Sequence, residues 1–111
     1  MRRVVFAAAD AASHHDVLPG ITMRTLSYGA ATLMTEFRLL AGHQLPLHAH
    51  PHEQTGYLVS GRLTFTIAGE VFEAGPGDGW SIAGGVGHKV EVHEDSVAIE
   101  VFSPVREDYL P

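Results

Sequence analysis

The sequence has 111 residues, no cysteine, and seven basic against thirteen acidic side chains, for a net charge of −6. That is the length of one modest domain, spanning 1–111, and it excludes disulfide bracing, thiolate nucleophiles and zinc–thiolate clusters. The acidic balance provides no global basic field for nucleic acid or anionic lipid, so an anionic small substrate would need a local positive site.

The start, Met1-Arg2-Arg3-Val4-Val5-Phe6-Ala7-Ala8-Ala9, has the basic flank and small apolar residues of a signal peptide, but Asp10 ends the run too early. No stretch approaches the ~20 apolar residues of a membrane span, and the expected location is the cytoplasm. Strand signals follow in order at Ile21–Ser27, Thr32–Leu40, Gly56–Val59, Leu63–Ile67, Glu70–Glu73, Gly79–Ile82, His88–His93 and Ser96–Phe102. Turn-forming pairs separate them, among them Ala41-Gly42, Ser60-Gly61, Ala68-Gly69 and Glu94-Asp95. Short strands with tight links predict an all-β sandwich or barrel with its core at about 21–102, and Pro104–Leu110 is left for a terminal turn or short helix. Alternation in Leu63-Thr64-Phe65-Thr66-Ile67 puts the three apolar residues on the packed face.

Eight histidines occur, three of them within five positions at His48-Ala49-His50-Pro51-His52. On an extended strand His48 and His50 emerge from one face and can share a metal ion. Gln54 has the same parity, and so does His52, which competes with it unless the chain bends at Pro51. Neutral imidazoles with an amide oxygen suit a divalent transition ion, and a further ligand must come from elsewhere. His14, His15, His43 and His93 are expected on the surface as solvated side chains. In the C-terminal stretch, composition alone reads Phe102 as core, Glu100 as solvated and Arg106 as the ion-pair partner of Glu107 or Asp108.

Spacing carries the reading further. Gly42, five residues, His48-Ala49-His50, three residues, Gln54, six residues and Gly61 together resemble the first motif of the cupin superfamily, with Gln54 in place of the usual Glu. Gly77-Asp78-Gly79-Trp80-Ser81-Ile82-Ala83-Gly84-Gly85-Val86-Gly87-His88 resembles the second, with Ala83 for the usual Pro and Val92 for the usual Asn. The resemblance implies a double-stranded β-helix, the cupin or jelly-roll barrel. It also implies one divalent metal ion (nickel, zinc, manganese or iron) held by His48, His50, Gln54 and His88, with Gln54 preferred to His52.

Two further runs, His48-x-His-Pro-His-Glu-Gln54 followed by Gly56-Tyr-Leu-Val-Ser-Gly61, and the tail Phe102-Ser-Pro-x-Arg-Glu-Asp-Tyr109, are similar to small cupins of the KdgF type from pectin degradation. That family converts 4,5-unsaturated uronates to linear keto-deoxy-uronates. Its pocket pattern Asp-x-Phe-x-x-x-Arg falls on Glu100, Phe102 and Arg106, with Glu at the first position. The resemblance therefore implies a metal-dependent sugar-acid enzyme with an anionic small-molecule substrate, Arg106 clamping the carboxylate and Glu100 moving protons. The alternatives are a cupin dioxygenase with iron at the same ligands and a non-catalytic metal-dependent ligand-binding module. Neither nucleic acid nor a membrane is an expected partner; a homodimer is.

Overall fold

The computed structural model describes residues 6–110, so the Met1–Val5 part of the signal-like start lies outside the described residues. Eight strands follow in order: β1 (His15–Leu18), β2 (Ile21–Tyr28), β3 (Leu33–Leu39), β4 (Gln44–His48), β5 (Glu53–Ile67), β6 (Glu70–Ala74), β7 (Gly79–Ile82) and β8 (His88–Ser103). The expected terminal turn is a 3-10 turn at Glu107–Tyr109. All pairings are antiparallel, in the order β1-β2-β3-β8-β5-β6, with β4 added on β8 and β7 on β5.

Two long strands organise this barrel. β8 pairs with β4 near its start and with β3 over Ser96–Phe102, while β5 pairs with β7 through Gln54–Tyr57 and with β6 through Leu63–Ile67. The two also pair with each other along nearly their whole length, from Glu53↔Ser103 to Ile67↔His88. Period-2 patterning decides what each strand buries: in β3, Leu33, Thr35, Phe37 and Leu39 point inward while Met34 and Arg38 face out. Leu63 and Phe65 of β5 join them in one apolar core with Val90, Val92 and Phe102 of β8.

The structure departs from the sequence-based expectation at the two central turns. Ser60-Gly61 and Glu94-Asp95 do not reverse the chain; β5 and β8 run through both, and the register shifts around Ser60 and Arg62 instead. These are bulges, which bend the paired strands without ending them. Gly61 has φ 101°, and a Cβ there would lie 1.9 Å from the Ser96 hydroxyl, so the bulge is open to glycine alone. The strand ranges read from the sequence omit β1, and only the His48 end of β4 is expected on a strand. Polar His15 and Asp16 hide the alternation of the first, and Pro46, which has no N–H to give a ladder, hides the second.

The outer face of the β3–β8–β5 region carries apolar side chains among polar ones. Met34, Val101 and Thr55 form one cross-strand row, Glu36, Ile99 and Tyr57 the next, and Arg38, Val97 and Ser60 the third. Met34, Tyr57 and Val59 are each more than two-fifths exposed, although they are apolar or aromatic. No helix among the described residues is long and apolar enough to cross a membrane.

Candidate metal centre

His48 closes β4 and His88 opens β8, and the two are direct partners in the β4–β8 ladder, with ring centroids 4.2 Å apart. His50 is not on a strand. It sits in the loop 49–52 between β4 and β5, where the Gly85 N–H donates to its carbonyl at 2.8 Å and ties the two ligand-bearing loops together. The single extended strand expected to present His48, His50 and Gln54 is therefore two strands with a bend between them. What brings the residues together is loop closure, not side-chain parity. One ring nitrogen from each of His48, His50 and His88 lies within 4.8 Å of the others.

Gln54, buried in β5, completes the group, with its Oε1 3.0 Å from His50 Nε2. His52 contributes its backbone: the His50 Nδ1–H donates to the His52 carbonyl at 2.9 Å, and the His52 ring is not among the converging three. Of the histidines expected to be solvated, His15 and His93 are exposed, but His14 and His43 are partly buried. His14 Nε2 is 2.8 Å from Glu36, and a Cβ on Gly20 would strike the His43 ring, so both are held by packing and bonding that their local sequence does not announce.

The three rings share one device. Each Nδ1 donates to a carbonyl two residues away: His48 to Pro46 at 2.8 Å, His50 to His52 at 2.9 Å and His88 to Val86 at 2.9 Å. With Nδ1 protonated, Nε2 carries the lone pair, the tautomer that a metal ligand needs. His88 Nε2 is buried with no hydrogen-bond partner among the described residues, and His50 Nε2 faces the Gln54 oxygen, acceptor against acceptor. A divalent cation satisfies all of these lone pairs at once, so the donor set fits the metal that the sequence motifs imply.

Beneath the histidines the barrel encloses a cavity of about 40 Å³, lined among others by Gln54, Glu100, Phe102 and Arg106. Phe102 is 2% exposed and meets the His50 ring edge-on at 5.7 Å. Glu100 is 6% exposed, which corrects its reading as a solvated acid: it faces inward on β8 and accepts from Gln54 Nε2 at 2.9 Å and from Trp80 Nε1 at 3.0 Å. Arg106 bonds Asp108 through Nε at 3.2 Å and Nη2 at 2.8 Å, and its guanidinium lies 4.0 Å over the Tyr109 ring. Asp108 thus occupies one edge of the guanidinium and leaves the Nη1–Nη2 edge for a ligand. Sequence reasoning named Asp108 as a possible partner of Arg106 but missed Trp80 and Tyr109. Alternation in Gly79–Ile82, with Trp80 and Ile82 on one face, was the signal for the first.

The cupin-domain family profile matches residues 35–103. Among solved structures, KdgF from Halomonas sp. superposes with a TM-score of 0.91 at 28% identity, covering 96% of this chain and 99% of that one. An RmlC-like cupin from Shewanella frigidimarina gives 0.90 at 23%, covering 99% and 100%. A salicylate 1,2-dioxygenase from Pseudaminobacter salicylatoxidans gives 0.74 at 16%, covering 79% of this chain and 27% of its own. The last two matches bear on the fold alone. No curated protein matches the sequence.

Burial lowers the His50 and His88 imidazoles below their usual 6.5, which keeps both neutral and able to ligate at pH 7. Burial pushes the Glu100 carboxyl up to about 8, against the opposing pull of the Gln54 and Trp80 hydrogen bonds. Its folded value lies above its unfolded one, so the folded chain keeps a proton that the unfolded chain gives up. That contribution is whole below the unfolded value and is lost as pH rises through about 8. In chelator-treated protein, urea denaturation should show Glu100→Gln gaining on the wild type by a few kcal/mol between about pH 5 and about pH 8. Parallel stability curves for the two proteins would contradict the buried placement of Glu100.

Proposed function

The chain belongs to the cupin-domain family, and from that footing we propose that it is a metal-dependent cupin acting on a small anionic sugar acid, an unsaturated uronate. The observation that carries this reading is the convergence of three Nδ1-anchored imidazoles next to Glu100, Phe102 and Arg106. His48, His50, Gln54 and His88 would hold the divalent ion. When bound, the ion supplies Lewis acidity toward a substrate carbonyl or hydroxyl oxygen. Nickel, zinc, manganese and iron all accept such a donor set.

The chain's own groups supply the rest. The pocket opens at the mouth of the barrel, where the substrate meets the three imidazoles and Arg106. There the free edge of Arg106 takes the carboxylate with two parallel charge-assisted hydrogen bonds, and Asp108 and Tyr109 hold the guanidinium in place. The net change is an isomerisation, in which a proton leaves a hydroxyl and another reaches carbon. We assign this transfer to Glu100, a buried acid that holds its proton at neutral pH. Similarity to KdgF over 96% of the chain supports the same substrate class.

Metal-loaded protein should accelerate the loss of ultraviolet absorbance of a 4,5-unsaturated uronate. Arg106→Lys should retain the fold and the metal but lose on the order of 1.5–3 kcal/mol of transition-state stabilisation, seen as a fall in kcat/KM. Decay no faster than in buffer would remove this substrate class. We also assign the outer rows of the β3–β8–β5 region to a second copy of the chain, because a two-fold axis sets one such patch against itself and covers it. Light scattering should give a dimer mass at micromolar concentration, and Ile99→Asp, in the middle row, should give the monomer. A monomeric wild type would refute the assignment.

A further inference from the structure

We infer that Trp80 is a positioning residue of the metal centre: acting through Glu100, it sets the direction of the Gln54 side-chain amide so that the oxygen, not the nitrogen, faces the three imidazoles. The inference rests on the metal-ligand reading of Gln54 given above.

An amide's oxygen and nitrogen are nearly the same size, so its hydrogen-bond partners decide which end points where. Gln54 Nε2 donates to Glu100 Oε2 at 2.9 Å, which turns Oε1 toward His50 Nε2. Glu100 is held in turn by Trp80, whose indole N–H lies 3.0 Å from Oε1 and 3.2 Å from Oε2. A neutral carboxyl keeps lone pairs on both oxygens, and an indole can only donate, so Trp80 holds those lone pairs turned inward to receive the Gln54 amide.

The fold builds this chain deliberately. Trp80, Gly56 and Glu100 form one cross-strand row on β7, β5 and β8, so Trp80 and Glu100 are two strands apart and meet above the residue between them. That residue must lack a side chain: a Cβ on Gly56 would lie 2.1 Å from Trp80 Nε1 and 2.5 Å from Glu100 Oε2. Phe65 packs against the indole at 4.4 Å and fixes the ring plane. Gln54 lies one inward position along β5 from Gly56, next to the carboxylate so fixed.

The test uses Trp80→Phe, which keeps an aromatic ring on Phe65 but removes the N–H. Nickel(II) titration of metal-free protein should show binding weakened on the order of tenfold. In a Gln54→Ala background, where no amide remains to be oriented, Trp80→Phe should cost nothing further. Equal losses in both backgrounds, or no loss in either, would overturn the inference, since a purely structural role does not depend on Gln54. A metal-free measurement separates this inference from the reading it rests on. Trp80 is the single tryptophan, so ¹H–¹⁵N spectra give one indole signal. Glu100→Gln should move that signal, and Trp80→Phe should move the Gln54 side-chain amide pair. Unmoved signals refute the inference whether or not nickel binds, whereas moved signals in a wild type that binds no nickel leave the chain of contacts standing and remove the metal reading alone.

Discussion

The antiparallel pairing of β5 with β8 is the constraint on which the rest of the molecule depends. Its register sets Gln54 opposite Phe102, Gly56 opposite Glu100 and Ile67 opposite His88, so most of the candidate site is written into one ladder. A slip of one residue would turn Glu100 and Phe102 outward and bring Val101 inward, and would empty the pocket of its chemistry. The bulges around Ser60 and Arg62 let the same pair of strands bend from one half of the barrel into the other without losing that register.

On this frame the site resolves a problem of buried polar groups. Three rings give their Nδ1 protons to local carbonyls, which leaves three lone pairs converging in a partly dry mouth. An acid sits below them with no basic partner among the described residues, accepting from an indole and an amide. Such an arrangement costs stability in the metal-free protein, through lone pairs without donors and a carboxyl driven toward its neutral form. Strain of this kind is tolerated where a ligand relieves it. Arg106 also lines the pocket, stacked on Tyr109 and gripped by Asp108, and in the proposed function it is the local positive group that lets a chain of net charge −6 hold an anion.

Much of this was legible in the sequence because strands alternate and turns have few residue types. The ranges Ile21–Ser27, Glu70–Glu73 and Gly79–Ile82 differ from β2, β6 and β7 by no more than one residue at an end. The bulges were misread as turns because Ser-Gly and Glu-Asp suit both, and only the partner strand decides between them. The His48, His50 and Gln54 grouping came from spacing and from an assumed strand parity. The structure brings the three together through a loop instead, whose course depends on the bond from Gly85 to His50, a contact 35 positions away that no local pattern encodes. Composition alone reads Glu100 as solvated because a lone Glu usually is, and only the resemblance puts it in a pocket; its burial follows from β8 running inward past Ala98, and its donors come from two other strands.

The claim that the three converging imidazoles form a metal centre is tested most directly by elemental analysis of protein purified without chelator. The account predicts close to one equivalent of a divalent transition metal in the wild type and in His93→Ala, whose ring is on the outer surface, and almost none in His88→Ala. A His88→Ala variant that folds and keeps a full equivalent would contradict it.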